Sequence, residues 1–289
     1  MDVKRRDFLK IAGLSAVAGL AAPSAFSMLL KGEAHASTAE HGAAAGHAEG
    51  GEASGGHGGH EEEAKGTQYG MVIDINKFAE HTGLAEKCIS ACHTEHNVPD
   101  FGNPKDEIKW IWQDDYTHGF PEHSQYKRND ALKALPVMLL CNHCANPPCV
   151  RACPTQATFK DKTGIVVMDF HRCIGCRFCM AACPYGARSF NWRNPREKYA
   201  NGNYKFYKSG LNPNYPTRMR GVVEKCNFCP ERLAVGKLPA CVEATGQTKA
   251  MVFGNINDPN SEVSQVLKAN FTIQRNPAAG TKPSVFYII

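Results

Sequence analysis

The sequence predicts an α+β protein built from two small cysteine-rich modules, one nested inside the other, with long loop insertions. Three observations carry that prediction. Thirteen cysteines fall into groups instead of being scattered. The two middle groups share nearly one spacing, and each ends in Cys-Pro. The two outer groups are incomplete versions of it, and each supplies part of what the other lacks.

Residues 1–36 read as a targeting signal. "KRRDFLK", from Lys4 to Lys10, precedes an apolar Gly/Ala-rich run from Ile11 to Leu30, and "AHA" at Ala34 to Ala36 is a small-x-small site before Ser37. This resembles a twin-arginine export signal, which carries proteins already folded and places the chain in the periplasm, peripheral to the membrane. The run is also as long as the roughly 20 residues that span a bilayer. Gly13, Gly19 and Pro23 make it a poor anchor and favour cleavage.

Residues 37–66 form a disordered His/Gly-rich linker, with almost no large apolar side chain to bury. Its His41, His47, His57 and His60 are irregularly spaced, which favours a linker over a metal site. The chain carries a net charge of +5, and residues 1–36 hold five basic and three acidic groups, leaving 5 − 2 = +3 for the rest. That excess is too small for a nucleic-acid footprint. No Gly-rich phosphate loop, paired nucleophile and base, or zincin helix occurs, so no substrate site is expected, and the chain reads as a non-enzymatic subunit.

Residues 136–192 form the inner module. "CNHCANPPCVRACP" is C-x2-C-x4-C-x3-C-P and "CIGCRFCMAACP" is C-x2-C-x2-C-x3-C-P. The second has the spacing of bacterial ferredoxins, and the first differs by two residues. Three thiolates on one loop reach three irons of a cubane, and the fourth cysteine ligates the neighbouring cubane. Cluster A therefore takes Cys141, Cys144, Cys149 and Cys183, and cluster B takes Cys173, Cys176, Cys179 and Cys153. Zinc or disulfides would not call for the interleaved C-x3-C-P tails.

The outer module is split between residues 67–135, with an insertion, and residues 226–289. "MVIDINKFAEHTGLAEKCISAC" repeats "VVMDFHRCIGCRFCMAAC", with Phe78 where Cys173 stands and with Cys88 and Cys92 as third and fourth positions. "CNFCPERLAVGKLPACVEATG" supplies Cys226, Cys229 and Cys241, with Thr245 and Gly246 in place of Cys153 and Pro154. By the same exchange, cluster C takes Cys226, Cys229, Cys241 and Cys92, while Cys88 is left without a role as a ligand. Twelve cysteines thus bind the iron of three [4Fe–4S] clusters.

The remaining features are weaker. The basic insertion 193–225 is either a partner-docking segment or a solvated loop. Trp110, Trp112 and Trp192 read as packing residues. Arg151, Arg172 and Arg177 lie near ligands and either raise potentials or are exposed counter-charges. Cys88, Cys92 and His93 spell C-x3-C-H, one residue longer than a c-type haem motif, and His81 with Cys88 is the alternative pair for an altered fourth cluster.

Four motifs in nested order, with "KCNFCPERL", "PACVEA" and "GTKPSVFYI", resemble the electron-transfer subunits of the molybdopterin oxidoreductases, of the polysulfide and dimethyl sulfoxide reductase type, over about residues 68–289. Members usually carry four [4Fe–4S] clusters. Within that family the leader, the three-cluster inventory and "HTEHNVPD" after Cys92 are most similar to the DsrO branch, the exported iron–sulfur subunits of DsrMKJOP membrane complexes of sulfur metabolism. The resemblance implies a multihaem cytochrome c and a polytopic quinone-interacting membrane subunit as partners. It also implies single-electron relay in sulfite-linked respiration. The alternative within the family is a subunit of a polysulfide or tetrathionate reductase.

Overall fold

The structure, a computed structural model, describes residues 66–122, 135–207 and 210–289. The readings for residues 1–36 and for the linker up to residue 65 lie outside them. In chain order the elements are β1 (Tyr69–Asp74), α1 (Ile75–Glu80), α2 (Leu84–Glu95), β2 (Ile111–Asp115), α3 (Tyr116–Gly119), β3 (Pro136–Leu140), α4 (Pro148–Arg151), β4 (Thr158–Lys160), β5 (Val166–Met168), α5 (Phe178–Ala181), β6 (Ser189–Phe190), β7 (Val223–Glu224), α6 (Pro230–Leu233), α7 (Ala240–Thr245), β8 (Met251–Asn255), α8 (Glu262–Ala269), β9 (Thr272–Ile273) and β10 (Val285–Ile288).

Strand β1 is apolar along its middle because both of its faces are covered. Met71 and Ile73 enter the main core, whereas Val72 points the other way and packs with Val252 and Val263, the latter on α8. It is central in a four-stranded sheet of order β8-β1-β10-β9, antiparallel to β8 and parallel to β10. Strands β4 and β5 form an antiparallel pair of their own. The two pairings have a common logic: β4 follows Cys153 and β5 precedes Cys173, just as β8 follows Cys241 and β1 precedes Cys88. The helices repeat the scheme, with α4 against α5 and α2 against α7.

A C-x3-C pair sets two cysteines about one helical turn apart and so favours a short helix there. Cys149, Cys179 and Cys241 do stand second in α4, α5 and α7. Cys88 and Cys92 instead lie inside the 12-residue α2, which starts after Gly83 in the left-handed region (φ 84°). Leu84, Ala85, Cys88 and Cys92 are its buried residues, and the steps of four place Leu84, Cys88 and Cys92 on one face.

The insertion 193–225 has little regular structure but is anchored. Arg218 is buried and pairs with the fully buried Glu224 at 2.6 Å, and it donates to the Asn97 carbonyl at 2.9 Å. The Trp110 indole donates to the same Glu224 carboxylate at 2.9 Å. Trp110 and Trp112 are therefore packing residues as expected, whereas Trp192 is 48% exposed. No helix among the described residues is long and apolar enough to cross a membrane.

Candidate cluster-binding sites

All three C-x2-C loops share one backbone feature. The residue before the second cysteine has a positive φ: His143 at 40°, Gly175 at 72° and Phe228 at 59°. This turns the loop tightly between its two cysteines. Gly175 is required twice over, since a Cβ there would lie 2.3 Å from the Gly221 carbonyl oxygen. His143 and Phe228 have no such freedom and are held by stacking on each other, with ring centroids 3.6 Å apart.

The structure brings eleven of the cysteines together in three groups. Cys92 lies within electrostatic reach of Cys241, Cys226 and Cys229. Cys144 has Cys141, Cys149 and Cys183 as neighbours, and these four residues line one internal cavity together with Tyr185 and Arg188. Cys179 has Cys149, Cys173 and Cys153 as neighbours. The sets form a row, because Cys226 also lies near Cys141, and Cys149 near Cys179. All of these thiols are free.

The donor chemistry fits iron–sulfur clusters. Burial, reinforced by neighbouring thiols, pushes Cys144 and Cys226 up to about 12 and raises Cys92, Cys229 and Cys241 as well. Packed thiols of that kind cannot ionise together, whereas coordination to iron takes their protons. Polar groups also await an anionic guest. The Asn142 amide and the Arg188 Nη2 have no hydrogen-bond partner, yet both residues line the cavity shared by Cys141, Cys144, Cys149 and Cys183.

Main-chain N–H groups aim at the sulfurs. Burial raises Cys153, but the amides of Thr158, Thr155 and Ala157 and the Thr155 hydroxyl outweigh it and lower the thiol overall. Burial and Cys141 raise Cys183 against the amides of Ala187 and Tyr185. Such N–H···S bonds stabilise thiolate and are one of the means by which a protein sets cluster potential.

Two buried cations were not singled out in the sequence, although Lys225 directly precedes Cys226. Arg188 resists its own desolvation because Cys149, Cys179 and Cys141 surround it, which raises its pKa. The Lys225 ammonium contacts the carbonyl of Val166 and, at 2.7 Å, that of Cys226. Arg151, Arg172 and Arg177 are all exposed. His96 was also missed: it is fully buried, with Nδ1 2.9 Å from the Cys92 carbonyl and 3.7 Å from the Cys92 sulfur, and Nε2 2.7 Å from Glu231. Arg232 ties α2 to α7 through Glu95, at 3.1 Å, and Glu243.

The positions that depart from the repeat are closed. Phe78 is buried in the core, and the Thr245 hydroxyl donates to the Val242 carbonyl at 2.7 Å. Cys88 has no exposed surface, and burial raises its pKa to about 11. His81, its proposed companion in an altered cluster, is exposed.

Comparison with known proteins agrees with this chemistry. Residues 133–215 match the 4Fe-4S dicluster domain family. The chain is 41% identical to an Hdr-like menaquinol oxidoreductase iron-sulfur subunit of Archaeoglobus fulgidus, over 78% of this chain and 85% of that protein. It is 39% identical to the arsenate respiratory reductase iron-sulfur subunit of a Shewanella species, over 76% and 95%. A menaquinone reductase iron-sulfur cluster-binding subunit of Nitratidesulfovibrio vulgaris is 36% identical over 76% and 88%.

Proposed function

We propose, for a chain that belongs to the family of iron–sulfur electron-transfer subunits of menaquinol and molybdopterin oxidoreductases, that it relays single electrons through three [4Fe–4S] clusters in the nested ferredoxin arrangement. Bound in these sites, the clusters supply one-electron chemistry, and the protein supplies ligands, burial and charge. Cys92, Cys226, Cys229 and Cys241 hold one cluster. Cys141, Cys144, Cys149 and Cys183 hold the second, and Cys153, Cys173, Cys176 and Cys179 the third. The observation that carries this reading is that Cys92, on a helix about 130 residues earlier, reaches Cys226, Cys229 and Cys241 of the last motif. The chain has no substrate site of its own in this reading.

The finer reading places the protein in the periplasm, exported folded, as a DsrO-type subunit in sulfur-linked respiration. Its partners are then a multihaem cytochrome c and a polytopic quinone-interacting membrane subunit. The leader-like residues 4–36 and the lost fourth cluster support it. Similarity to the arsenate respiratory reductase subunit favours a second reading, in which the partner is a molybdopterin subunit such as that of a polysulfide or tetrathionate reductase. Purification of the complex from native membranes separates them. A c-type cytochrome with a polytopic membrane protein supports the first reading, and a molybdenum-containing subunit supports the second.

A further inference from the structure

We infer that the outer end of the row of sites, around the loop from Cys173 to Cys179, is a docking surface for a redox protein whose contact face is apolar at its centre and ringed by carboxylates. The inference rests on the reading of Cys153, Cys173, Cys176 and Cys179 as an electron-transfer site.

Two observations place electrons nearest to solvent here. Cys153, Cys173 and Cys176 are only partly buried, whereas all four of Cys92, Cys226, Cys229 and Cys241 are buried. The loop itself presents Ile174, 69% exposed, and Phe178, 61% exposed, on either side of Cys176. Large apolar side chains held in water beside a redox site mark a contact surface. Trp192 continues the patch, with the Arg177 guanidinium 4.7 Å from its ring centroid. Gly175 packs on the Gly221 carbonyl, so the exposed Met219 and Arg220 follow alongside.

The charge around this patch is mainly positive. Arg172, Arg177 and Arg220 are exposed, and the carboxylate of the segment, Asp169, is engaged by Arg172 at 3.3 Å. Fixed cations around an apolar centre speed association with an acidic partner and are screened by salt. The complementary partner face is therefore acidic.

The test uses anaerobic holoprotein and two reductants in stopped flow: a reduced plant-type ferredoxin, acidic and of low potential, and the small cationic methyl viologen radical. The ferredoxin rate constant is expected to fall about tenfold from low to high salt, and about tenfold at low salt in the double variant Arg172→Glu, Arg220→Glu. The pair Ile174→Ser, Phe178→Ser is expected to slow the same reaction without changing its salt dependence. The methyl viologen rate is not expected to fall in any variant. Iron content and cluster signals in the same samples separate the two readings. Absence of a cluster on the Cys173 loop in the unmodified protein defeats the functional reading. Intact clusters with a ferredoxin rate indifferent to salt and to both variant pairs overturn the docking surface. So does a charge reversal that abolishes binding to phosphatidylserine vesicles while the ferredoxin rate is kept, since the patch then serves a lipid surface.

Discussion

Arg188 stands among thiols of two different sites, Cys141 and Cys149 on one side and Cys179 on the other. A permanent cation there favours the reduced, more negative state of both clusters. Arg188→Met should therefore lower a midpoint potential by at least the ~59 mV that corresponds to tenfold in a one-electron equilibrium, read by potentiometric EPR with iron content unchanged. Unaltered potentials would assign Arg188 to packing alone. Cys88 makes the opposite case, a cysteine that the proposed function leaves without a ligand role. Its pKa near 11 in the folded chain stands above the ordinary 9.0. Folding thus favours the neutral thiol; that contribution is complete below about pH 9 and is lost as pH rises through 11. Iodoacetamide at pH 8 should leave it unlabelled in the folded protein, because the thiolate is the reactive form. Cys88→Ala should keep all of the iron and cost about 1–2 kcal/mol of stability for a small buried side chain, whereas Cys92→Ser should remove about four irons.

At the scale of elements, the sequence announces whatever is local. The C-x2-C loops and the short helices after them follow from spacing within about a dozen residues, and both appear in α4, α5 and α7. The placement of β1 between β8 and β10 was not legible, since its partners lie some 180 and 210 residues away. A separation of 135 residues likewise hid His96 and Glu231, which meet beside Cys92 only once α2 packs on the last motif. The insertion 193–225 reads as a partner-docking segment or a solvated loop because its composition is basic, yet its Arg218 is a buried anchor. Arg218→Ala leaves Glu224 without its cation and should cost about 3–5 kcal/mol, seen as a lower denaturation midpoint. Gly175→Ala should cost the cluster of its own loop, because the added Cβ meets the Gly221 carbonyl at 2.3 Å. An iron count lower by about four per chain, with the other two clusters still visible by EPR, is the expected outcome.

Over the whole molecule the three thiol sets form a row, with Cys226 beside Cys141 and Cys149 beside Cys179. The buried end lies with α2 and α7, next to Cys88, Phe78 and Thr245, where the repeat predicts a fourth site and the structure is closed. The exposed end is the Cys173 loop. A relay of this kind receives and delivers electrons at its ends, so in the proposed reading the missing fourth site shortens the row without interrupting it. The most direct measurement is the iron and acid-labile sulfide content of anaerobically purified full-length protein, taken alongside Cys88→Ser. The account predicts about 12 iron and 12 sulfide per chain for three cubanes, the same in both proteins. A reproducible count near 8 or 16, or a loss of iron in Cys88→Ser, would contradict it.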